Sequence, residues 1–359
     1  MLFRPWEVVS FAVGLSLLCI GSGAFGLWLG LQPDIQTLDQ RTQLIERQLT
    51  ARAASAEAVL TSLAGVLQAS DELRPFAFLD LSRRLLTTYP FIRAVSEIDV
   101  VDAPARDDWE TRMRAEAFPT VSITSYDGPH AVDASGAPER LYPIGFTEPL
   151  TPENARLIGF DIGSHPGIRD ALELAVDTDW IAASEVVSID DAADGWLVLR
   201  AVYLGHVSPG TAGGRWNQLS GLVALHIDKN AFFRDVVEAY DDIEVAFRDA
   251  RGDNVVYRHG RLAATFWPRL PVLTATDSLA VNDQSFAIQT RFRPTWSVAK
   301  LALLAAFIAF PAVTGFAAAA ASRNHRIRIR QSRDAARRID ESKQRFQDYA
   351  EVEIGRAHV

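Results

Sequence analysis

Two long apolar runs, one near each end of the chain, constrain the fold more than any other feature of the sequence. Residues 8–31 form 24 consecutive positions without a charge, and residues 301–321 form 21 more. At about 1.5 Å per residue, each run exceeds the roughly 30 Å of hydrocarbon that a helix must cross. Both runs are predicted to be transmembrane helices, because a helix satisfies its own backbone inside lipid.

Basic residues beside the two runs predict their orientation. Arg4 precedes the first run, and nine Arg and Lys residues between positions 323 and 345 follow the second. Because basic residues near spans mark the cytoplasmic side, both termini are predicted inside and residues 32–298 outside a bacterial inner membrane. A cleaved signal peptide is the alternative for the first run, but its apolar part usually has only about 7–15 residues.

The composition of the outer region excludes some classes of partner. Residues 31–300 contain 38 Asp and Glu against 25 Lys and Arg, so this region is more acidic than the whole chain with its net charge of −9. An acidic surface is a poor match for nucleic acid, whose phosphates need cations. The only cysteine, Cys19, lies in the first span, so no disulfide is expected outside the membrane.

The segment that follows the first span, residues 32–70, is predicted to be one long stalk helix. Its apolar residues recur at steps of three and four, which is the spacing of a coiled-coil seam. Small residues in the first span would also allow a close approach of two helices. A homodimer contact is therefore predicted at Ser22, Gly26, Gly30, Ile35, Leu38, Ile45 and Leu49. The alternative is that the seam packs on the chain's own domain, and both uses are expected.

Mixed periodicities between the stalk and the second span predict an α+β fold with mostly antiparallel strands. Residues 71–205 alternate helical and strand patterns, with strands expected at 121–126, 141–149, 184–189 and 196–203. Residues 206–298 are predicted to form a second, smaller unit. It would comprise a loop at 207–218, a strand at 221–227, a helix at 231–240 and two hairpins. This unit meets the second span with almost no linker.

Several sequence blocks in the outer region resemble the CHASE domain, the extracellular sensor module of bacterial and plant receptors. The resemblance covers roughly residues 75–235, and its most specific blocks are residues 89–95 and 142–149. Residues 157–164, the helix that ends at 177–178, and residues 197–203 and 221–228 continue it. It implies a stalk helix followed by two PAS-like α/β subdomains, of which the membrane-distal one holds a small ligand. The predicted division near residue 205 agrees with this implied architecture.

A ligand pocket is expected in the membrane-distal subdomain, apolar with a few polar anchors. Its candidate lining is Phe146, Glu148, Asp161, Ser184, Leu199 and Tyr203. The resemblance puts Ser184 where cytokinin receptors have a pocket threonine, and Pro149 where they have a carboxylate, so a purine ligand is not expected. Asp161 has an alternative role as the cap of the following helix, and Phe146, Leu199 and Tyr203 have one as core residues.

The cytoplasmic end is predicted to be a charged signalling helix over residues 322–352. Residues 341–351 resemble the opening of a PAS domain, and residues 353–359 resemble a translated sequencing adapter. The resemblance to CHASE receptors implies that a histidine kinase or a diguanylate cyclase follows in the intact protein.

No catalytic residue, metal ligand or cofactor site is predicted from the sequence. The seven histidines are scattered without the i, i+4 spacing of a helical zinc site, and no phosphate-binding glycine motif occurs. His226 lies in an apparent strand and is expected to be packed or hydrogen-bonded. The predicted function is small-ligand sensing as the input part of a receptor. The alternatives are a membrane scaffold without a ligand and, less favoured, an envelope enzyme.

Overall fold

A computed structural model describes residues 5–69, 74–116, 118–128, 139–187, 194–205, 208–249, 254–262, 270–282 and 284–356. The chain divides into two compact units, which are described separately below. Residues 1–35 and 295–359 form the first unit, and residues 36–294 form the second. The helices are α1 Pro5–Ala69, α2 Arg74–Thr88, α3 Arg106–Glu116, α4 Pro152–Ala155, α5 Pro166–Thr178, α6 Ala212–Gln218, α7 Lys229–Val237 and α8 Val298–Arg356.

The first unit contains the two predicted spans, each inside a much longer helix. The first span lies in α1 and the second in α8, and both helices are long and apolar enough to cross a membrane. The prediction of two apolar helices that flank a mixed domain is confirmed.

Small residues of the first span pack against large residues of the second span in the same chain. A Cβ atom on Gly26 would lie 2.8 Å from Phe307, and one on Gly23 would lie 2.9 Å from Ile308. The Ser22 hydroxyl donates to the Phe307 carbonyl at 2.5 Å, and Gly30 lies against Lys300. Because this face is filled within one chain, a second chain would have to contact another side of the first span.

The second unit contains the strands of the fold, all paired antiparallel within their sheets. They are β1 Ile92–Asp99, β2 Val101–Asp102, β3 Arg140–Leu141, β4 Ile144–Glu148, β5 Ala182–Ala183, β6 Gly195–Tyr203, β7 Leu219–Asp228, β8 Glu244–Asp249, β9 Val255–His259, β10 Leu273–Val281 and β11 Gln284–Phe292. A five-stranded sheet has the order β4-β1-β7-β6-β5, and a four-stranded sheet has the order β10-β11-β8-β9. Strand β7 therefore lies inside the five-stranded sheet, and the change from one sheet to the other comes after Asp228 rather than at residue 205.

The stalk part of α1 packs along both sheets and builds the largest core of the unit. Leu38, Ile45 and Leu49 are at most 3 % exposed and lie in one cluster with Trp196, Phe247 and other residues of the two sheets. The predicted seam is thus filled by the chain's own domain, as the alternative expectation stated. A dimer contact through Leu38, Ile45 and Leu49 would require this core to open, while Ile35 is half-buried in the first unit.

Three predicted elements differ from the structure. Residues 121–126 make a single bridge, Thr124 to Phe160, because the Glu110 carboxylate rather than a strand binds the Ile123 amide. Of the strand predicted at 184–189, only Val187 forms a bridge, to Gly195; β5 ends before this range at Ala183, and residues 188 and 189 lie outside the described residues. Part of the loop at 207–218 is helix α6, since the Thr211 hydroxyl accepts from the Gly214 amide and caps it.

Candidate ligand site

Three hydrogen-bonded polar side chains lie side by side across the neighbouring strands β4, β1 and β7 of the five-stranded sheet. The Ser96 hydroxyl shares a hydrogen bond with His226 Nε2 at 2.8 Å and donates to the Thr147 hydroxyl at 3.2 Å. Ser96 and Thr147 are fully buried, and His226 is nearly so. We call Ser96, Thr147 and His226 the polar trio. Burial of such groups is costly unless they are paired, so their pairing explains how this sheet tolerates them.

Strand pairing brings the polar trio together. Ser96 of β1 lies opposite Thr147 of β4 and Ala224 of β7, and His226 lies two residues beyond Ala224 on the same face. Side chains two residues apart in a strand share a face. This face also carries Leu222 and Leu199, which pack on α5, and we call it the covered face. The other face packs on the stalk.

A small cavity adjoins the polar trio at the end of strands β6 and β7. Its volume is about 30 Å³, enough for water but far below the roughly 300–1,000 Å³ of a ligand pocket. The cavity is lined by both apolar and charged side chains, which include Arg93, Leu157, Val187, Asp194, Leu197, His226 and Asp228. Lys229 pairs with Asp194 at 2.8 Å, and Asp228 caps α7.

Ser184 lies next to this cavity, but its hydroxyl is hydrogen-bonded within the chain. Its hydroxyl accepts from the Leu197 amide at 2.9 Å and donates to the Glu185 carbonyl at 2.8 Å. Its own amide donates to the Leu197 carbonyl. Ser184 therefore positions Leu197, which lines the cavity, and a ligand would meet Leu197 before Ser184.

Leu199 and Tyr203 belong to the covered face as core residues. Leu199 is fully buried opposite Ala182, and the Tyr203 hydroxyl donates to the Val176 carbonyl at the end of α5 at 3.3 Å. Burial raises the pKa of Tyr203 to about 12.

Phe146 and Glu148 lie on the opposite face of the sheet, toward α2. The Phe146 ring meets Phe78 edge-on at 5.8 Å between centroids, and Arg83 pairs with the Glu148 carboxylate at 2.8 Å. Phe146 and Glu148 flank Thr147 in β4, and successive residues of a strand point to opposite faces, so these two residues lie on the face opposite the polar trio. The six predicted residues therefore do not line one pocket.

Asp161 holds the turn before α5. Its carboxylate accepts from the Tyr142 amide at 2.9 Å and from the Gly163 amide at 3.0 Å. Burial, the larger influence, raises the pKa of Asp161 despite these two bonds. Asp161 therefore caps the short 3-10 helix Ile162–Ser164, whereas His165 caps α5, so the predicted capping role applies to the turn before α5 and not to α5 itself.

A second concavity, an open groove of about 820 Å³, lies between the stalk and the end of α5. The exposed stalk face forms one wall, and Trp180, which is 77 % exposed, stands on the other. Its remaining lining is Ala54, Glu57, Ala58, Thr61, Leu174, Thr178, Asp179, Ile181 and Arg200. Among the described residues, no group of three or more His, Cys, Asp or Glu side chains is arranged to hold a metal ion.

Comparisons with solved structures return sensor domains at low identity. An extracellular ligand-binding receptor from Desulfohalobium retbaense is 12 % identical with a TM-score of 0.45, and the alignment covers 70 % of this chain and 39 % of that one. The ligand-binding domain of the Pseudomonas fluorescens chemoreceptor CtaA, in complex with L-serine, is 10 % identical with a TM-score of 0.42, covering 73 % and 98 %. The periplasmic domain of Vibrio cholerae LuxQ is 11 % identical with a TM-score of 0.36, covering 71 % and 98 %.

A family model gives the assignment that the sequence blocks had suggested. No curated protein sequence matches the chain. The model of the CHASE domain matches residues 71–257, which is more than half of the chain and includes the whole five-stranded sheet. The resemblance predicted for residues 75–235 is confirmed. The protein belongs to the CHASE domain family, and its role is extracellular ligand sensing in a signalling receptor.

Proposed function

We propose that this chain is the input part of a receptor that binds a small polar ligand at the covered face, anchored by Ser96, Thr147 and His226. The observation that carries the proposal is the polar trio itself, buried in the sheet, with His226 lining the cavity at the end of strands β6 and β7. Two hydroxyls and an imidazole offer both donors and acceptors to a ligand. Leu157, Val187 and Leu197 would contact its apolar part.

Ligand binding at this face requires the cavity to widen. At about 30 Å³ the cavity admits no metabolite, so a ligand would have to displace Val187, which lines the cavity and bridges to Gly195. A ligand that binds the wider form more tightly shifts the equilibrium toward it, and only by that difference in affinity. This gives the sensor two states.

The membrane arrangement forms part of the proposal. Residues 32–298 are periplasmic and both termini are cytoplasmic in a bacterial inner membrane, which the basic residues after the second span support. The output, a histidine kinase or a diguanylate cyclase, is proposed from the family resemblance.

A homodimer is proposed through the exposed face of the stalk, because the buried seam is already filled. Leu44, Ala51, Ala58 and Gly65 recur at steps of seven, and Arg47, Ala54 and Thr61 lie between them at steps of three and four; all are exposed. This is the period of a coiled coil, and chains anchored in one membrane would pair in parallel. The second copy would also cover the groove beside Trp180.

The dimer face is tested by oxidative cross-linking in membranes, in a Cys19→Ala background. We expect Ala51→Cys and Ala58→Cys to give disulfide-linked dimers, since the two copies of each residue would face each other. Arg84→Cys, on the exposed side of α2, is the control and should stay monomeric. Equal cross-linking at all three positions would contradict the proposed face.

The ligand site is tested by thermal-shift screening of the detergent-solubilised chain against a set of amino acids, small carboxylic acids and sugars. Any compound that raises the melting temperature is then titrated against Ser96→Ala and His226→Gln. Each variant removes a hydrogen bond to the ligand and should weaken binding about tenfold. Ser220→Ala, on the same strand β7 as His226 but bonded to the Val202 carbonyl, is the matched control and should bind normally.

Two results would count against this site. Unchanged affinity in both trio variants would remove the ligand from the covered face. Loss of binding in Glu148→Gln alone would move it to the opposite face, beside Arg83.

A further inference from the structure

The end of the β10–β11 hairpin touches both the stalk and the five-stranded sheet. Asn282 Nδ2 donates to the Ala53 carbonyl at 3.3 Å and to Glu57 Oε1 at 3.1 Å, both on the stalk. Gln284 Nε2 donates to the Ser184 carbonyl. Asn282 is buried and has a φ of +47°, a left-handed conformation that asparagine tolerates better than most residues. Three separate parts of the fold thus meet at Asn282 and Gln284.

The contact at Ser184 connects this hairpin to the cavity. Ser184 is bonded twice to Leu197, through its amide and through its hydroxyl, and Leu197 lines the cavity. Because Ser184 is hydrogen-bonded to Leu197 on one side and to Gln284 on the other, a displacement of Leu197 would act on the hairpin through these three hydrogen bonds. These bonds weaken steeply when their geometry changes.

Strand β11 is also fixed to the stalk at its far end. The hydroxyls of Thr290 and Thr42 share a buried hydrogen bond of 2.7 Å. Between the two ends of β11, the Phe286 ring packs near the Trp196 ring, with 6.2 Å between the ring centroids. From Asn282 to Thr290 a strand extends roughly 26 Å, and from Glu57 to Thr42 a helix extends roughly 22 Å. Strand β11 therefore runs beside the stalk and is attached near both ends. Along the chain, only residues 293–297 separate β11 from α8, which contains the second span.

We infer that Asn282 and Gln284 are the positioning residues that couple the cavity to the second span, by attaching β11 to Ser184 and to the stalk at once. This inference rests on the proposed function, because the signal it carries begins at the cavity. A change at Leu197 would be passed by Ser184 to Gln284 and would shift β11 against the stalk. Strand β11 would have two positions, and the hydrogen bonds from Asn282 to the stalk and from Gln284 to Ser184 would together decide between them.

The coupling is tested without any ligand, by hydrogen exchange on the full chain with mass spectrometry. Leu197→Val removes one methylene from the cavity wall while keeping the residue apolar. We expect it to speed exchange of the β11 amides about fivefold relative to those of β9, which serves as the internal reference for global opening. In the Gln284→Ala background the same substitution should leave that ratio unchanged. Gln289→Ala, a half-buried glutamine of the same strand, is the matched control and should preserve the response.

Two outcomes overturn the inference: no effect of Leu197→Val on the ratio between β11 and β9, or an undiminished effect in the Gln284→Ala background. Asn282→Gly, which keeps the left-handed backbone and removes the amide, gives a second route to the same test. Failure here leaves ligand binding at the polar trio untouched, since the thermal-shift titration measures that separately. Equally, a failed ligand screen leaves this exchange measurement interpretable.

Discussion

At the scale of single residues, Glu110 shows how one carboxylate organises an irregular segment. It accepts from the Ile123 amide at 2.9 Å, from Arg106 at 3.0 Å and from Arg114 at 2.6 Å. The pKa of Glu110 is lowered mainly by the hydrogen bond from the Ile123 amide, and the two arginines lower it further. The segment 118–128 is thus attached to α3 by side-chain bonds, where a sheet would have used backbone bonds.

Glu110→Gln is therefore expected to lower the free energy of unfolding by about 1–3 kcal/mol at pH 7. A carboxyl whose folded-state pKa is lowered stabilises the fold above its unfolded pKa of about 4.5, and that stability is lost as the pH falls through the folded value. The difference between wild type and variant should shrink accordingly below pH 4.5. Chemical denaturation at pH 7 and pH 3.5 measures it, with the exposed Glu173→Gln as control. A constant difference would contradict the ionised role.

Tyr203 gives the opposite pH dependence. Its folded-state pKa is about 12 because of burial, against 10.0 in the unfolded chain, so its neutral form is fully compatible with folding below pH 10. Stability is lost between pH 10 and pH 12, where the unfolded chain ionises first. We expect denaturation between pH 9 and pH 11.5 to show a smaller loss in Tyr203→Phe than in wild type. Identical losses would show that Tyr203 does not resist ionisation.

The polar trio could be predicted from the sequence only in part. His226 was expected to be hydrogen-bonded in a strand, and its contact with Ser96 confirms this. Ser96 and Thr147 are not among the predicted site residues, although they are hydrogen-bonded to each other. The face of each residue was not predictable, since bulges at Glu97/Ile98 and between Ile92 and Ala94 shift the registers.

At the scale of elements, strong periodicity and hairpin signals gave correct predictions. The two hairpins predicted within residues 206–298 are β8–β9 and β10–β11, and the strand predicted at 196–203 is β6. Elements fixed by tertiary contacts did not follow local signals. Helix α6 contains Gly213 and Gly214, yet Arg215 donates to the Val176 carbonyl at the end of α5 and holds the helix there. Strand β7, predicted to belong to the smaller subdomain at residues 206–298, pairs with β1 and β6 instead, since sequence order alone does not reveal the partners of a strand.

Gly159 is the residue that allows the turn between α4 and α5 to approach the segment 118–128 closely. Its φ is +88°, and a Cβ atom would lie 2.4 Å from the Ser122 carbonyl oxygen. Gly159→Ala is therefore expected to cost roughly 2 kcal/mol or more of unfolding free energy. Gly213→Ala, where nothing lies within 4 Å, is the control and should be neutral or slightly stabilising. Denaturant titration of both variants provides the comparison, and equal stabilities would contradict the steric argument.

At the scale of the whole molecule, the membrane arrangement follows most directly from the sequence. The two apolar runs and the family blocks predicted a sensor domain between two hydrophobic helices, and the structure and the family match agree. The division into two subdomains was less predictable, because the stalk joins both sheets in one core. The oligomer contact was placed on the seam because periodicity alone does not distinguish a partner's surface from the chain's own.

The extracytoplasmic position of the five-stranded sheet is the claim on which ligand sensing depends. It is measured by labelling single cysteines with a membrane-impermeant maleimide in a Cys19→Ala background. One cysteine replaces Arg84 on the exposed side of α2, and the other replaces the exposed Ser332 after the second span. In intact spheroplasts, Arg84→Cys should react at once and Ser332→Cys only after lysis. Reaction of Ser332→Cys in intact spheroplasts, with Arg84→Cys protected, would contradict the account.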